Sequence, residues 1–194
     1  RMVLSHTTGL PNWGGTPLQM DADPGARWGY SGEGFVYLAR ALETRTGRSL
    51  QDLAEEHVLG PFGMDSTSFV WRPDYEALKA WGHNVSAEPV PDRRRPQSAN
   101  AAASLHTTAR DYGRFLAAVL TGEGLRPETH AAMLTSQSEV RAQGPEETYP
   151  YLAWGLGWGL QEGERGRALW HWGDNGIFRS YVIGYPDSGN GLVY

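Results

Sequence analysis

The chain has 194 residues, of which 40% are hydrophobic and 20% charged, and this composition is typical of one globular domain with its own core. Its formal net charge of −5 argues against a nucleic-acid partner, because proteins that bind nucleic acids carry a basic surface. The sequence has no cysteine, which excludes disulfides and thiolate metal sites, and no apolar run approaches the ~20 residues of a membrane span.

The first third of the chain predicts a polar turn, a surface loop and two helices. The polar side chains of residues 4–11 are expected to brace a turn rather than react, and the glycine- and proline-rich loop after them should lie on the surface. Ser49 is typical of the N-cap of a second helix, which ends at Gly60. The first helix should begin just after Tyr30-Ser31-Gly32 and end at Gly47, because apolar residues recur there with helical spacing: Phe35, Leu38, Ala39 and Leu42.

The middle of the chain predicts an irregular segment followed by two helices. Residues 70–99 are rich in proline and have no sustained period, so we expect an irregular excursion over the functional site. Thr108 and Asp111 have the spacing of a capping box for a helix that stops before Gly122. Pro127 is typical of the first position of a further short helix.

The last part of the chain is aromatic and punctuated by glycine, which predicts short antiparallel strands at residues 154–160, 168–172 and 178–185. Helices first and strands last indicate an α+β fold in a single domain over residues 1–194, with a helical part at about 26–135 and the strands at about 152–194. The first residues resemble the end of a helix and the last a strand cut short, so we expect the domain to be incomplete at both ends.

Two segments carry candidate chemistry. The strand segment His171-Trp172-Gly173-Asp174 is followed by a glycine turn, and Tyr30-Ser31-Gly32 lies far upstream of it. Together they resemble two of the three motifs of the serine β-lactamase and penicillin-binding-protein family, in the branch of class C β-lactamases, D-Ala-D-Ala carboxypeptidases and related esterases. That family combines Ser-x-x-Lys with a Tyr-x-Asn element and a Lys-Thr-Gly or His-x-Gly element.

The motif that holds the nucleophile is absent from these residues. Lys79 is the single lysine, and the residue three positions before it is Glu76, so Ser-x-x-Lys does not occur in the chain. The resemblance therefore implies a β-lactamase/transpeptidase-like fold that lacks its nucleophile segment. We expect that segment to be a partner of the chain, and the chain by itself to be inactive.

The resemblance also implies roles for individual residues. Tyr30 would transfer protons, with its pKa lowered by nearby cationic groups, and His171 would donate to Tyr30 or to a substrate carboxylate. Gly173 would let substrate approach the backbone, and the amide of Asp174 would supply one oxyanion-hole donor. Trp172 belongs to the same substrate-binding strand.

Gly32 departs from the family pattern, because the third residue of that motif is commonly Asn, whose amide binds substrate. This favours ester or peptidase chemistry over β-lactam hydrolysis. The implied partner is a small acyl substrate, namely a β-lactam, a D-Ala-terminated peptide or a small ester. No cofactor is expected, and no metal, because no histidine has a partner at metal-ligand spacing. The sequence leaves the compartment open.

Three alternatives compete with this interpretation. Tyr30 and His171 are also compatible with plain core positions. Residues 29–33 almost match the Gly-x-Ser-x-Gly elbow of an α/β-hydrolase esterase, with Ser31 as nucleophile, but the motif fails at Glu33. A catalytically inactive module of the same fold would bind a ligand, or a sugar through exposed indoles of the sheet region: Trp154, Trp158, Trp170 and Trp172.

Overall fold

A computed structural model describes residues 1–91, 94–141 and 148–194, with helices first and an antiparallel sheet last. The helices are α1 (Gly32–Thr46), α2 (Leu50–Ala54), α3 (Ala109–Thr121) and α4 (Pro127–Met133), with a π-helical turn at Glu55–Leu59 and a 3-10 turn at Pro73–Ala77. The strands are β1 (Gly82–His83), β2 (Pro89–Val90), β3 (Ser138–Arg141), β4 (Thr148–Trp154), β5 (Gly159–Gly163), β6 (Gly166–Asp174), β7 (Arg179–Tyr185) and β8 (Asn190–Val193). This arrangement confirms the predicted α+β class.

The predicted ends of the first two helices are confirmed by their caps. Ser31 Oγ accepts a hydrogen bond from the Gly34 amide at 2.8 Å, which fixes the start of α1. Gly47 ends that helix in the left-handed conformation with φ 67°, which glycine adopts without steric cost. Ser49 caps α2, and the chain continues through the π-helical turn as far as Leu59.

Asp111 does not complete the predicted capping box at the start of α3. Thr108 Oγ1 accepts from the Asp111 amide, as predicted, but the Asp111 carboxylate points elsewhere. Its Oδ2 accepts from the Ser66 amide at 2.7 Å and from the Thr67 hydroxyl at 3.0 Å. The side chain is almost fully buried, so it joins α3 to residues 66–67 instead of closing the helix end.

The six larger strands form one sheet in the order β3-β4-β5-β6-β7-β8, and every neighbouring pair is antiparallel. Helix α3 packs on β7 and β8, where a Cβ at Gly184 would lie 2.9 Å from the Leu116 side chain. Because Gly184 has no side chain, the helix can approach the sheet closely at this point. The buried residues of this interface are Leu116, Val119, Trp158, Leu160, Leu169 and Val182.

The predicted strand over residues 154–160 is wrong as a single element. Strand β4 ends at Trp154, and the Gly155 amide donates to the Trp158 carbonyl at 2.8 Å to close a turn before β5. Gly157 has φ 86° within that turn. The glycines that seemed to interrupt one strand therefore reverse the chain. The sheet also begins earlier than predicted, at Ser138, because β3 and β4 support each other by pairing across a bulge.

The segment over residues 70–99 contains the 3-10 turn and the β1-β2 pair, and part of it reaches the turn between β6 and β7. The His83 amide donates to the Ile177 carbonyl at 2.9 Å. A Cβ at Gly82 would lie 2.6 Å from Ile177 Cδ1, so this glycine permits the contact. Within the described ranges, no helix combines the length and the apolar character needed to cross a bilayer.

Candidate active site

The structure brings the two candidate segments together. Tyr30 lies just before α1, and its ring stacks on Trp172 of β6 with centroids 5.8 Å apart and an interplanar angle of 19°. The rings of Tyr30 and His171 have centroids 6.1 Å apart. Trp172 remains 48% exposed, so this meeting point of helix and sheet lies at the surface.

A frame of aromatic rings holds Tyr30 in place. His6 lies 4.3 Å from Tyr30 between ring centroids, and Trp154 packs edge-on at 5.9 Å. Trp154 also contacts Trp28 and His171, and it is only 1% exposed. A small cavity adjoins the tyrosine, lined by Gly9, Leu10, Asp21, Ala22, Arg27 and Gly29.

His6 is the residue of this frame that sequence reasoning missed. Its side chain is buried, and Nδ1 accepts a hydrogen bond from the Ser31 amide at 3.0 Å. Burial, with a smaller contribution from His171, lowers the pKa of His6 to about 3. The prediction that polar side chains of residues 4–11 brace a turn agrees with this geometry, but no spacing in the sequence links residue 6 to residue 31.

The lowered pKa of His6 predicts loss of stability at mildly acidic pH. The unfolded chain takes up a proton near pH 6.5 and the folded chain only near pH 3, so the free energy of unfolding falls as pH drops through that window. One such group costs about 1.4 kcal/mol per pH unit. His6→Asn keeps an acceptor for Ser31 and does not titrate. The unfolding free energy of this variant, measured by urea titration from pH 7 to pH 5, should fall less steeply than that of the wild type. The difference between the two slopes should correspond to the uptake of about one proton on unfolding.

Above pH 7 the two proteins should show the same dependence on pH, which serves as the control. Equal slopes below pH 6 would mean that His6 titrates normally in the folded protein.

The pKa values of the two proposed catalytic side chains move in opposite directions. Burial raises the pKa of Tyr30, whereas burial lowers the pKa of His171 and the hydrogen bond to the Trp172 carbonyl opposes that shift. Both groups are therefore neutral near pH 7. The prediction that cationic groups lower the pKa of Tyr30 is wrong for the described residues, because aromatic rings surround the phenol and the nearby imidazole is uncharged.

The tautomer of His171 follows from its hydrogen bond. Nδ1 lies 2.8 Å from the Trp172 carbonyl oxygen, which only accepts, so Nδ1 carries the proton. Nε2 of the neutral ring is then an acceptor. The expected donation from His171 to Tyr30 does not fit this tautomer at neutral pH, because its Nε2 carries no proton to donate.

The end of β6 presents backbone groups rather than side chains. A Cβ at Gly173 would lie 2.9 Å from Ser180 Oγ on β7, so a side chain at this position would displace that hydroxyl. The Asp174 carboxylate turns away from the strand, accepting from the Gly176 amide at 2.7 Å and from Arg179 Nε at 3.0 Å. These two donors lower the pKa of Asp174.

The direction of the Asp174 amide follows from the alternation of hydrogen bonds in an antiparallel pair. The Asn175 amide donates to Phe178, so the next hydrogen-bonded position is Gly173 with Ser180, and Asp174 opposite Arg179 is not hydrogen-bonded. The Asp174 N–H therefore points away from β7. Strand β5 pairs with β6 only as far as Trp170, so the Asp174 amide faces the region beyond the end of β5.

Ser31 occupies a structural position, not that of a nucleophile. It is 1% exposed, its hydroxyl donates to the Pro11 carbonyl at 2.8 Å, and the same oxygen caps α1. A nucleophile elbow instead presents its serine to the solvent at the end of a strand. The geometry therefore gives no support to the esterase alternative that uses Ser31.

The space that a side chain at residue 32 would occupy is filled by another part of the chain. Its amide donates to Asn12 Oδ1 at 3.0 Å, and a Cβ would come 2.9 Å from the Asn12 carbonyl oxygen and 3.0 Å from the ring of Trp13. The departure from Asn at this position is thus matched by the loop at residues 12–13, which fills the space.

We expect Gly32→Ala to destabilise the protein by about 1–3 kcal/mol, although alanine is the better helix former, because the added methyl meets backbone and ring atoms. Thermal unfolding measures the effect. Gly29→Ala is the matched control, since a Cβ at Gly29 has no other atom within 4 Å. Similar melting temperatures for the two variants would contradict the close packing of Asn12 and Trp13 on Gly32.

Three of the four tryptophans proposed as a sugar platform are buried. Trp154, Trp158 and Trp170 are 1%, 5% and 9% exposed, whereas Trp172 is 48% exposed. A stacking platform needs exposed ring faces, so one indole alone remains for that role. In the part of the chain that the structure describes, no group of three His, Cys, Asp or Glu side chains is arranged to hold a metal ion.

Comparisons with known proteins agree with this geometry. The Beta-lactamase family model matches residues 1–194. The chain is 26% identical to the Unguisins hydrolase ungD' of Aspergillus campestris (strain IBT 28561), an alignment that covers 98% of this chain and 41% of that protein. It is 25% identical to the D-alanyl-D-alanine-carboxypeptidase/endopeptidase AmpH of Escherichia coli (strain K12), over 89% of this chain and 46% of that protein.

The fold is also found in a solved structure. The octameric penicillin-binding protein homologue from Pyrococcus abyssi superposes with a TM-score of 0.80 at 22% identity, covering 98% of this chain and 50% of that chain. The chain thus spans about half the length of these three proteins. Because the family match extends over every residue and the α+β fold is shared, the chain belongs to the β-lactamase family of serine hydrolases.

Proposed function

We propose that this chain supplies the proton-transfer and oxyanion side of a serine acyl-transfer site whose nucleophile lies in a segment preceding Arg1. The observation that carries the proposal is the meeting of Tyr30 with His171 and Trp172, at the place where the end of β6 presents its backbone. The relatives support it too, because the chain covers only 41% and 46% of their length and its own sequence lacks Ser-x-x-Lys.

In the proposed mechanism, a serine outside these residues attacks the acyl carbonyl and forms an acyl-enzyme as the leaving group departs. The serine proton passes to Tyr30 while the Tyr30 proton moves to His171 Nε2, and the reverse transfer protonates the leaving group. The Asp174 amide stabilises the oxyanion of the tetrahedral intermediate. Water then releases the acid by the same steps, which restores the serine.

The neutral pair fits this cycle better than a charged one. Burial among the described residues raises the pKa of Tyr30, which favours the protonated phenol at neutral pH. His171 is unprotonated because burial lowers its pKa, so it is ready to accept. The absence of a side chain at Gly32 removes the amide that would bind an amide substrate, which favours a small ester over a β-lactam.

The test compares the 194-residue chain with a protein extended at its N-terminus by the sequence encoded upstream. A chromogenic ester and a chromogenic cephalosporin serve as substrates, and mass spectrometry locates any acyl-enzyme. We expect the chain alone to be inert, and the extended protein to carry the acyl group on the serine of Ser-x-x-Lys. Turnover by the chain alone that Ser31→Ala abolishes would sink the proposal. An upstream sequence without Ser-x-x-Lys would instead support an inactive ligand-binding protein of the same fold.

A further inference from the structure

We propose that His6 is a positioning residue for Tyr30, which fixes the tyrosine by binding the backbone on both sides of it and by packing against its ring. This inference rests on the proposed function, because it concerns the residue to which that function assigns proton transfer. His6 does not touch the reacting atoms in this proposal. It acts through the placement of Tyr30.

The two hydrogen bonds of His6 bracket Tyr30 in the chain. The carbonyl oxygen of His6 accepts from the Gly29 amide at 2.8 Å, and its Nδ1 accepts from the Ser31 amide at 3.0 Å. Gly29 and Ser31 are the residues immediately before and after Tyr30. One residue thus fixes the Ser31 amide directly after the tyrosine and the Gly29 amide of the residue before it, which restricts the path of the backbone that carries the Tyr30 side chain.

The conformation of His6 is unusual in a way that suits this role. Its φ is 53°, in the left-handed region that residues other than glycine seldom occupy. In this conformation the carbonyl group reaches Gly29 while the imidazole reaches Ser31. Backbone strain of this kind persists where the surrounding contacts determine the conformation, and such positions concentrate at functional sites.

The imidazole also fills the space against the phenol. It lies 4.3 Å from the Tyr30 ring with an interplanar angle of 33°, and it packs on Trp154 at 4.8 Å and Phe35 at 5.3 Å. His6 is 1% exposed, so the phenol has no room to tilt toward it.

The two ring nitrogens of His6 differ in their surroundings. Because Nδ1 accepts from Ser31, the neutral ring carries its proton on Nε2, and that buried atom has no hydrogen-bond partner in the structure. Buried donors without partners are uncommon. Among the described residues, the imidazole therefore bonds through Nδ1 alone, toward Ser31.

Two variants separate the two contributions of His6 in the N-terminally extended protein. His6→Asn keeps an acceptor for Ser31 and tolerates the left-handed conformation, whereas His6→Phe keeps a ring but loses the acceptor. We expect His6→Phe to lower kcat for a chromogenic ester by about 10–100-fold with little change in KM, because a misplaced catalytic group slows the chemical step. His6→Asn should retain more activity than His6→Phe.

Controls distinguish positioning from general stability. Asp111→Asn is a destabilising change in a different part of the molecule, and His57→Phe alters an exposed histidine. Neither should change kcat when activity is measured on the folded fraction. If Asp111→Asn lowers kcat as much as His6→Phe does, or if both His6 variants keep full kcat, His6 is a structural residue only and the inference is wrong.

A readout that does not need turnover keeps the inference separate from the proposed function. In protein labelled with ¹³C-tyrosine, the Tyr30 signal is assigned by its loss in Tyr30→Phe. We expect that signal to shift or broaden in His6→Phe and to stay close to its original position in His6→Asn. If the extended wild type hydrolyses no ester, the proposed function fails, and the Tyr30 signal alone decides whether His6 positions the ring. An unchanged signal in both variants would overturn the inference.

Discussion

Tyr30→Phe is expected to lower kcat of the N-terminally extended protein by roughly 10²–10⁴-fold, the range typical for loss of a group that transfers protons in the transition state. The substitution removes one hydroxyl and keeps the ring, so the stacking on Trp172 and the contact with His6 should survive. Steady-state hydrolysis of a chromogenic ester measures kcat. Thermal unfolding should show a melting temperature close to that of the wild type.

The matched control for this variant is Tyr37→Phe, which removes a hydroxyl from the outer face of α1, where the residue is 66% exposed. Its kcat should equal that of the wild type. If Tyr30→Phe retains full kcat, the phenol takes no part in proton transfer, and Tyr30 would be a packing residue of the aromatic frame.

Asp111→Ala is expected to lower the free energy of unfolding by about 2–4 kcal/mol. Asp111 is 3% exposed, and its carboxylate accepts hydrogen bonds from the Ser66 amide and the Thr67 hydroxyl. Alanine leaves the Ser66 amide and the buried Thr67 hydroxyl without this acceptor. Urea titration at pH 7 measures the loss.

Two comparisons test the reason for this effect. Asp111→Asn keeps one carbonyl oxygen as acceptor, so it should cost less than Asp111→Ala. Asp74→Ala removes an exposed carboxylate paired with Arg72, and such surface pairs contribute little, so its stability should stay near that of the wild type. A loss after Asp111→Ala no larger than that after Asp74→Ala would show that the buried hydrogen bonds do not stabilise the fold.

Local sequence signals predicted the helix ends because the groups that fix them are close in sequence. Ser31, Ser49 and Thr108 each accept a hydrogen bond from an amide three residues later, and Gly47 and Gly122 adopt the left-handed conformation directly after their helices. Strand boundaries depend instead on pairing partners far away in the chain. For that reason, the start of the sheet at Ser138 and the turn between β4 and β5 were missed.

The charge state of the site was also beyond local reasoning. Residue types led to Tyr30 and His171, but the expected cationic neighbours of the phenol were an assumption drawn from the family pattern. Desolvation by the surrounding rings raises the pKa of one group and lowers that of the other, and the sequence does not show which rings gather there. The same holds for Ser31, whose near match to an elbow motif conceals a buried cap.

The sequence by itself determined the family resemblance, the α+β class and the absence of Ser-x-x-Lys, because each depends on residue identity, order and short-range spacing. Only the tertiary structure decided that Tyr30 stacks on Trp172, that His6 binds the amides of the residues before and after Tyr30, and that Trp13 lies against Gly32. These contacts join residues that are distant along the chain. They form because the burial of aromatic surface packs a loop, the start of a helix and the end of a strand against one another. No local sequence pattern specifies which of these segments pack together.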